Sequence, residues 1–124
     1  MTTRVLAIDD SRTIRDLLRL SLESAGFEYH CAEDGRIGVD MFAQVDPDVV
    51  ITDINMPNLD GYGVIDELRR GPARTRVPIL VLTTESSDAL KARARDAGAT
   101  GWIVKPFDDD SLISVLRRLT GYGG

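Results

Sequence analysis

Five short apolar runs punctuate the chain: Val5 to Ile8, Phe27 to Ala32, Asp48 to Thr52, Val77 to Leu82 and Thr100 to Val104. They are brief, rich in β-branched residues and mostly continuous rather than alternating, which predicts strands of a parallel sheet covered on both faces. Helical periodicity fills the gaps. A first helix is predicted over Arg12 to Ala25, with Ser11 or Asp10 near its N-cap, an apolar stripe of Ile14, Leu17, Leu18, Leu22 and Ala25, and Gly26 as its stop. A second lies near Gly35 to Gln44, ahead of an Asp46-Pro47 break, and faces the core in part with Ile37, Val39, Met41 and Phe42. The third follows Asp60-Gly61, buries Val64, Ile65 and Leu68, and ends at Gly71-Pro72, where proline cannot continue it. The fourth begins after Ser86 or Ser87 and stops at Gly98. Its body, DALKARARDA, has few large apolar residues, so it is expected to be loosely held. The fifth follows Pro106, with Asp108, Asp109 and Asp110 in its first turn and Arg117 and Arg118 in its last, both complementing the helix dipole.

Strand and helix alternating five times predict an α/β fold: a single doubly wound (βα)5 domain with a five-stranded parallel sheet, flavodoxin-like in class. The domain is read as spanning residues 1–124, with no internal repeat, linker or further domain, and with a frayed tail from Thr120 to Gly124. At 124 residues it is long enough to bury a core of its own. The net charge of −5 disfavours non-specific nucleic-acid binding, which needs cations to displace counterions, and docking on anionic membranes. The single Cys31 excludes an internal disulfide and a cysteine-based zinc site, and reads as a small buried hydrophobe in the second strand. His30 beside it is read as structural. The N-terminal stretch turns acidic too soon for a signal peptide, and no apolar run approaches the ~20 residues of a membrane span. A cytoplasmic monomer is the default expectation.

In sheets of this kind, ligands bind beyond the C-terminal ends of the strands, where strand order switches. The predicted strand ends read Asp9-Asp10, Asp53, Thr83-Thr84 and Lys105-Pro106. Three carboxylates that converge repel one another and call for positive charge. Oxygen-only donors without nearby His or Cys suit a hard cation such as Mg2+. A metal and the Lys105 ammonium beside a carboxylate make a receptor for a phosphoryl group, with the carboxylate as nucleophile and the Thr83 hydroxyl as a donor to a phosphoryl oxygen. Taken singly, each residue has a plainer reading: a helix cap for Asp9-Asp10, a turn residue for Asp53, a solvated tip for Lys105. Their recurrence at four strand ends of one rim favours a site.

The stretches VLAIDDSRTIR, VVITDINMPNLDGYGV, PILVLTTES and AGATGWIVKPF, in this order and spacing, resemble the receiver domains of two-component response regulators, most of all the stand-alone, CheY-like chemotaxis regulators. The resemblance covers the whole chain. It implies that Asp53 becomes the aspartyl phosphate, and that Asp10 and Asp53 bind Mg2+ directly. Asp9 would assist through water, and Asn55 would offer its backbone carbonyl. Lys105 would pair with the phosphoryl group, across a cis bond to Pro106. Thr83 would be the switching hydroxyl, and Pro57 and Gly61 would shape the loop after Asp53. Trp102 stands where the family usually has Tyr or Phe as switch aromatic; it reads equally as a cover for the sheet edge. Ser11 replaces a larger apolar residue. Asn55 and Glu85 flank the path of a hydrolytic water, and a short phosphoryl lifetime is implied.

Phosphorylation is expected to re-seat the segment from Thr84 through Glu85 to Ser87 and the fourth helix. That would change a surface carrying Lys91, Arg95 and Trp102 on the fourth helix, fifth strand and fifth helix. The implied partners are a CheA-like histidine kinase as donor and, with no output domain in the chain, a flagellar motor switch protein as target. A phosphorelay intermediate and a phosphate sink share the same site. A flavodoxin-like cofactor binder would need a phosphate-cradling loop where this chain has Asp-Asp-Ser-Arg. A metal-dependent phosphatase would need an acid at position 55, which is Asn, and a transcription factor would need a basic reading helix that is lacking.

Overall fold

The computed structural model describes residues 2–121. The elements run β1 Arg4–Ile8, α1 Arg12–Ser24, β2 Glu28–Ala32, α2 Gly35–Val45, β3 Val49–Thr52, α3 Gly61–Arg70, β4 Ile79–Thr83, α4 Asp88–Ala97, β5 Gly101–Val104 and α5 Asp109–Thr120. The five strands form one parallel sheet in the order β2-β1-β3-β4-β5. The strand order therefore reverses between β1 and β3, which places the crevice of the fold at their C-terminal ends.

Both faces of the sheet are covered because successive strand residues point to opposite sides. On one face Val5, Ala7, Val49, Ile51, Leu80 and Leu82 pack with Leu18 and Leu22 of α1 and with Leu112 and Leu116 of α5. On the other, Leu6, Ile8, Val50, Ile79 and Val81 pack with α2, α3 and the buried Ala94 of α4. The strands consequently read as unbroken apolar runs.

Four strands begin one or two residues later than the apolar runs suggested. Phe27 is buried, but its amide still bonds to the Leu22 carbonyl, so it belongs to the exit of α1. Pro78 accepts from the Val50 amide but has no N–H for the ladder. In α1 the inward stripe is Leu18 and Leu22, fully buried, with Ile14 and Ala25 partly buried; Leu17 is 49% exposed and lies outside it. In α2, Ile37 is also exposed, while Val39, Met41 and Phe42 are partly buried as expected. The close approach to the sheet there is made by Gly38, where a Cβ would lie 2.4 Å from Ile8 Cδ1. Cys31 is only half-buried on the edge strand β2. Of the frayed tail expected from Thr120 to Gly124, residues 122–124 lie outside the described residues; Thr120 still belongs to α5 and Gly121 is its C-cap.

The helix starts follow their caps. Ser11, Asp34, Asp60, Ser87 and Asp108 each accept a backbone amide of the first turn. In α4 only Ala94 is fully buried, in line with its polar sequence. Its C-terminal end is nevertheless clasped from α3. Arg69 donates to the carbonyls of Gly98, Thr75 and Val77, and Arg70 to the carbonyl of Ala97 at 2.9 Å.

Candidate phosphoacceptor site

Asp9, Asp53 and Lys105 are each the first residue beyond a strand, with Asp10 next after Asp9, and the sheet ladder continues far enough to hold these three. The Asp9 amide bonds to the Ala32 carbonyl, the Asp53 amide to the Ile8 carbonyl at 2.9 Å, and the Lys105 amide to the Thr83 carbonyl at 2.8 Å. The backbone under the site is thus fixed by the same hydrogen bonds that build the sheet. Asp9, Asp10 and Asp53 each bring a carboxylate oxygen to within 4.8 Å of the others. Asp9 is 2% exposed and Asp53 8%, whereas Asp10 faces solvent.

Lys105 spans the two buried acids. Its Nζ lies 2.7 Å from Asp9 Oδ2 and 2.8 Å from Asp53 Oδ2. The contact to Asp53 is a hydrogen bond; the one to Asp9 is an ion pair outside hydrogen-bonding angles, so Asp9 Oδ2 is buried without a hydrogen-bond donor. Burial pushes the Asp9 carboxyl up, only partly opposed by Lys105 and the Ser11 amide. Burial also opposes the charge on Lys105, but its hydrogen bond to Asp53 and its ion pair with Asp9 prevail and hold it above the ordinary lysine value. Two buried carboxylates and a third beside them exceed the single ammonium. The donor set, all carboxylate oxygen with one buried atom lacking a donor, fits a small hard dication.

The other predicted residues fall around this core. Asp53 Oδ1 accepts the Ile54 amide at 2.7 Å, so both of its oxygens are engaged. Asn55 is exposed two residues beyond. Gly61 admits the close return of the loop: a Cβ there would sit 2.2 Å from the Asp53 carbonyl. Thr83 is fully buried at the end of β4, and its hydroxyl accepts the Glu85 amide at 3.3 Å. Thr84 and Glu85 are exposed, and the Lys105–Pro106 bond is cis. Lys91, Arg95 and Trp102 line a shallow cavity of about 180 Å3 between α4 and β5. Trp102 packs on the core and donates its indole N–H to the Glu85 carbonyl at 3.1 Å, which ties β5 to the loop after Thr83. His30 lies away from the rim, paired with Glu28 at 2.7 Å.

Three supports of the site were not read from the sequence. Arg15 reaches back from α1 to the Asp9 carbonyl at 2.7 Å, and the Ser11 amide bonds to Asp9 Oδ1 at 2.8 Å. The Asp34 carboxylate, at the start of α2, accepts from the Asn58 side chain at 2.7 Å. An Asp-Gly pair ahead of a helix signals a cap, which would have singled out Asp34. Nothing in the periodicity marks Arg15.

Comparison with known proteins agrees with this geometry. Residues 5–117 match the response regulator receiver domain. Response regulator MprA of Mycolicibacterium vanbaalenii is 40% identical over 119 residues, which are 96% of this chain and 51% of that protein. Regulatory protein AtoC of Escherichia coli is 36% identical over 115 residues, 93% of this chain and 24% of that protein. The chain therefore spans between a quarter and a half of the length of these relatives. The chemotaxis protein CheY4 of Vibrio cholerae superposes with a TM-score of 0.90 at 39% identity, covering 96% of this chain and 99% of that one. The receiver domain of sensor histidine kinase PA1611 from Pseudomonas aeruginosa, which has a magnesium ion coordinated in its active-site cleft, superposes with a TM-score of 0.88 at 26% identity, over 98% of this chain and 99% of that one. The match over residues 5–117, on the same doubly wound fold, makes this chain a member of the response regulator receiver domain family.

Proposed function

We propose that the chain accepts a phosphoryl group on Asp53 and relays the event to a partner through the α4–β5–α5 face. The observation that carries this is the convergence of Asp9, Asp10 and Asp53 around an ammonium that touches two of them. Asp10 and Asp53, the Asn55 carbonyl and, less directly, Asp9 would hold Mg2+. When bound, the ion supplies positive charge against the oxygens of the incoming phosphoryl group.

The donor in this reading is a phosphohistidine of a sensor kinase. An Asp53 oxygen attacks phosphorus, the P–O bond forms as the P–N bond breaks, and the imidazole nitrogen leaves with the bonding pair and takes up a proton. Lys105 already bonds Asp53 Oδ2 and needs only a short swing to meet a phosphoryl oxygen. Hydrolysis returns Asp53: water attacks the same phosphorus, and Asn55 and Glu85, both exposed, would influence its access.

The new group adds about one to two negative charges and fresh acceptor oxygens. The Thr83 hydroxyl would then exchange its role as acceptor from the Glu85 amide for that of donor to the phosphoryl group. Trp102 bonds the carbonyl of that same Glu85, so the loop, β5 and the cavity by Lys91 and Arg95 respond together. A bias of a few kcal/mol between two arrangements suffices.

The likeness to CheY4 supports a flagellar motor switch protein as target and a CheA-like kinase as donor. The likeness to MprA and AtoC, in which the matching part is at most about half of the protein, supports a second reading, a receiver that governs an output domain. Phosphotransfer from a panel of sensor kinases, with Asp53→Asn as control, tests the first step; persistent labelling of that variant would remove Asp53 from its role. Capture of a flagellar switch protein by the beryllofluoride-treated chain, and not by the untreated one, tests the second.

A further inference from the structure

We propose that Asp34 is a positioning residue for the phosphoacceptor loop: it starts α2 with one carboxylate oxygen and holds Asn58 with the other, fixing the loop that leads from Asp53 through Asn55 to α3. This rests on the reading above, in which that loop contributes to the Mg2+ site.

The loop is pinned at two places. At its base, the Gly61 amide bonds to the Ile54 carbonyl at 2.8 Å, and Ile54 is held in turn by Asp53 Oδ1. At its outer bend, Asn58 adopts φ +70°, a left-handed conformation that Asn tolerates better than most side chains. That bend is secured by the 2.7 Å bond from Asn58 Nδ2 to Asp34 Oδ2. Asp34 Oδ1 meanwhile accepts the Ile37 amide at 2.8 Å, and the residue is only 7% exposed. The Ile37 amide first, and the Asn58 amide next, hold the Asp34 carboxyl below its usual range.

Contact between α2 and the loop is backbone to backbone. A Cβ on Gly35 would lie 2.0 Å from the Leu59 carbonyl oxygen, so the helix start and the loop meet without a side chain between them. Asn55 stands between the two pins. Its carbonyl direction depends on both, because a loop fastened only at its base is free to rotate the peptides beyond it. Partners that orient metal-binding groups typically change metal affinity without joining the metal.

Two variants cut the tether from opposite ends. Asn58→Gly removes the amide and keeps the left-handed backbone accessible. Asp34→Ser keeps a cap for α2 but is too short to reach Asn58. Mg2+ titrated against the amide signals of residues 53–60 is expected to bind about tenfold more weakly in each variant. Phosphorylation by a small phosphodonor should return to within about twofold of the parent rate at saturating Mg2+, because the chemistry of Asp53 and Lys105 is untouched. The double variant should be no weaker than either single one, since both remove one link. Without metal, hydrogen exchange of the Leu59 and Gly61 amides should quicken in both. Parent-like Mg2+ affinity and exchange in Asn58→Gly would overturn the proposal, even if Asp34→Ser folds poorly. Additive losses in the double variant would reduce Asp34 to a cap. Failure of the parent chain itself to bind Mg2+ would instead overturn the reading of the site.

Discussion

The loops that carry Asp9, Asp10 and Asp53 are held differently from the loop and helix that follow Thr83. On the acidic side, every turn is tied at short range to a neighbouring element. Arg15 grips the Asp9 carbonyl, Asp34 grips Asn58, and Gly35 and Gly61 allow backbone contact where any side chain would collide. Arg36 of α2 meets Glu67 of α3 through two hydrogen bonds, of 2.9 and 2.8 Å, which brace the two helices. Beyond Thr83, by contrast, the residues from Thr84 to Ala89 are all exposed. There α4 has one fully buried side chain, and the Tyr62 hydroxyl reaches the Leu90 carbonyl only at 3.4 Å. A receiver needs a nucleophile held still and a reporter free to move. In the proposed reading, the division of anchoring along the rim suits both, with the less anchored part as the one that would move.

The largest expected effect tests this division in the core. Leu68 of α3 is fully buried, whereas Leu90 of α4 is only partly so. Leu68→Ala should cost about 3 kcal/mol and Leu90→Ala about 1 kcal/mol, the difference reflecting the cavity that each leaves. Urea midpoints at unchanged slope measure both. Equal losses would mean that α4 is as firmly seated as α3.

A second pair sharpens the acidic side. In Gly35→Ala the new methyl meets the Leu59 carbonyl, a backbone atom that cannot step aside, and a loss of about 2–3 kcal/mol should follow despite the better helix propensity of alanine. In Gly63→Ala the methyl meets Leu59 Cδ1 at 2.4 Å, the end of a flexible side chain. The helix gain of up to about 1 kcal/mol then offsets the adjustment, and the variant should be near neutral. Thermal unfolding of the two decides.

These supports explain what could be read from the sequence and what could not. Five apolar runs and their breaks carried the strand count and the alternation, because burial on both faces leaves strands uniformly apolar. The rim residues were legible because the sheet puts every strand's successor at one edge. Leu17 was misplaced because a stripe drawn at helical spacing tolerates a neighbour about 100° away, and only the packing of α5 decides which leucine it covers. The fourth helix was rightly read as polar, but its anchoring by Arg69 and Arg70 was invisible. Two arginines at the end of a helix look like dipole compensation, but they also reach the end of α4, 26 to 29 residues onward, at Asp96, Ala97 and Gly98.

That clasp supplies the third prediction. The Arg69 guanidinium is partly buried without a carboxylate partner among its hydrogen bonds, and burial pulls its pKa below the ordinary value. Arg69→Met keeps the stem and removes the donors, leaving three carbonyls without their charged partner. A loss of about 2 kcal/mol is expected, with faster hydrogen exchange confined to the junction of α4 and β5 at residues 98–101. If exchange instead quickened first at residues 84–90, the fixed end of α4 would be its beginning and the division drawn here would be reversed.

The smallest effect concerns the side-chain bond that ties the loop after Thr83 to β5. The Trp102 indole N–H is the side-chain donor to the Glu85 carbonyl, and phenylalanine would keep most of the packing while removing that bond. Because Glu85 is exposed, its carbonyl can turn to water, so Trp102→Phe should cost no more than about 1 kcal/mol. Its consequence should lie in the loop: the amides of residues 85–87 should exchange faster in the unphosphorylated variant, and the change in their signals on adding Mg2+ and beryllofluoride should grow, because the resting loop starts from a broader set of positions. Should those amides behave alike in parent and variant, Trp102 would be a cover for the sheet edge, and the link from Thr83 to the α4–β5 face would run through Lys105 and the backbone of β5 alone.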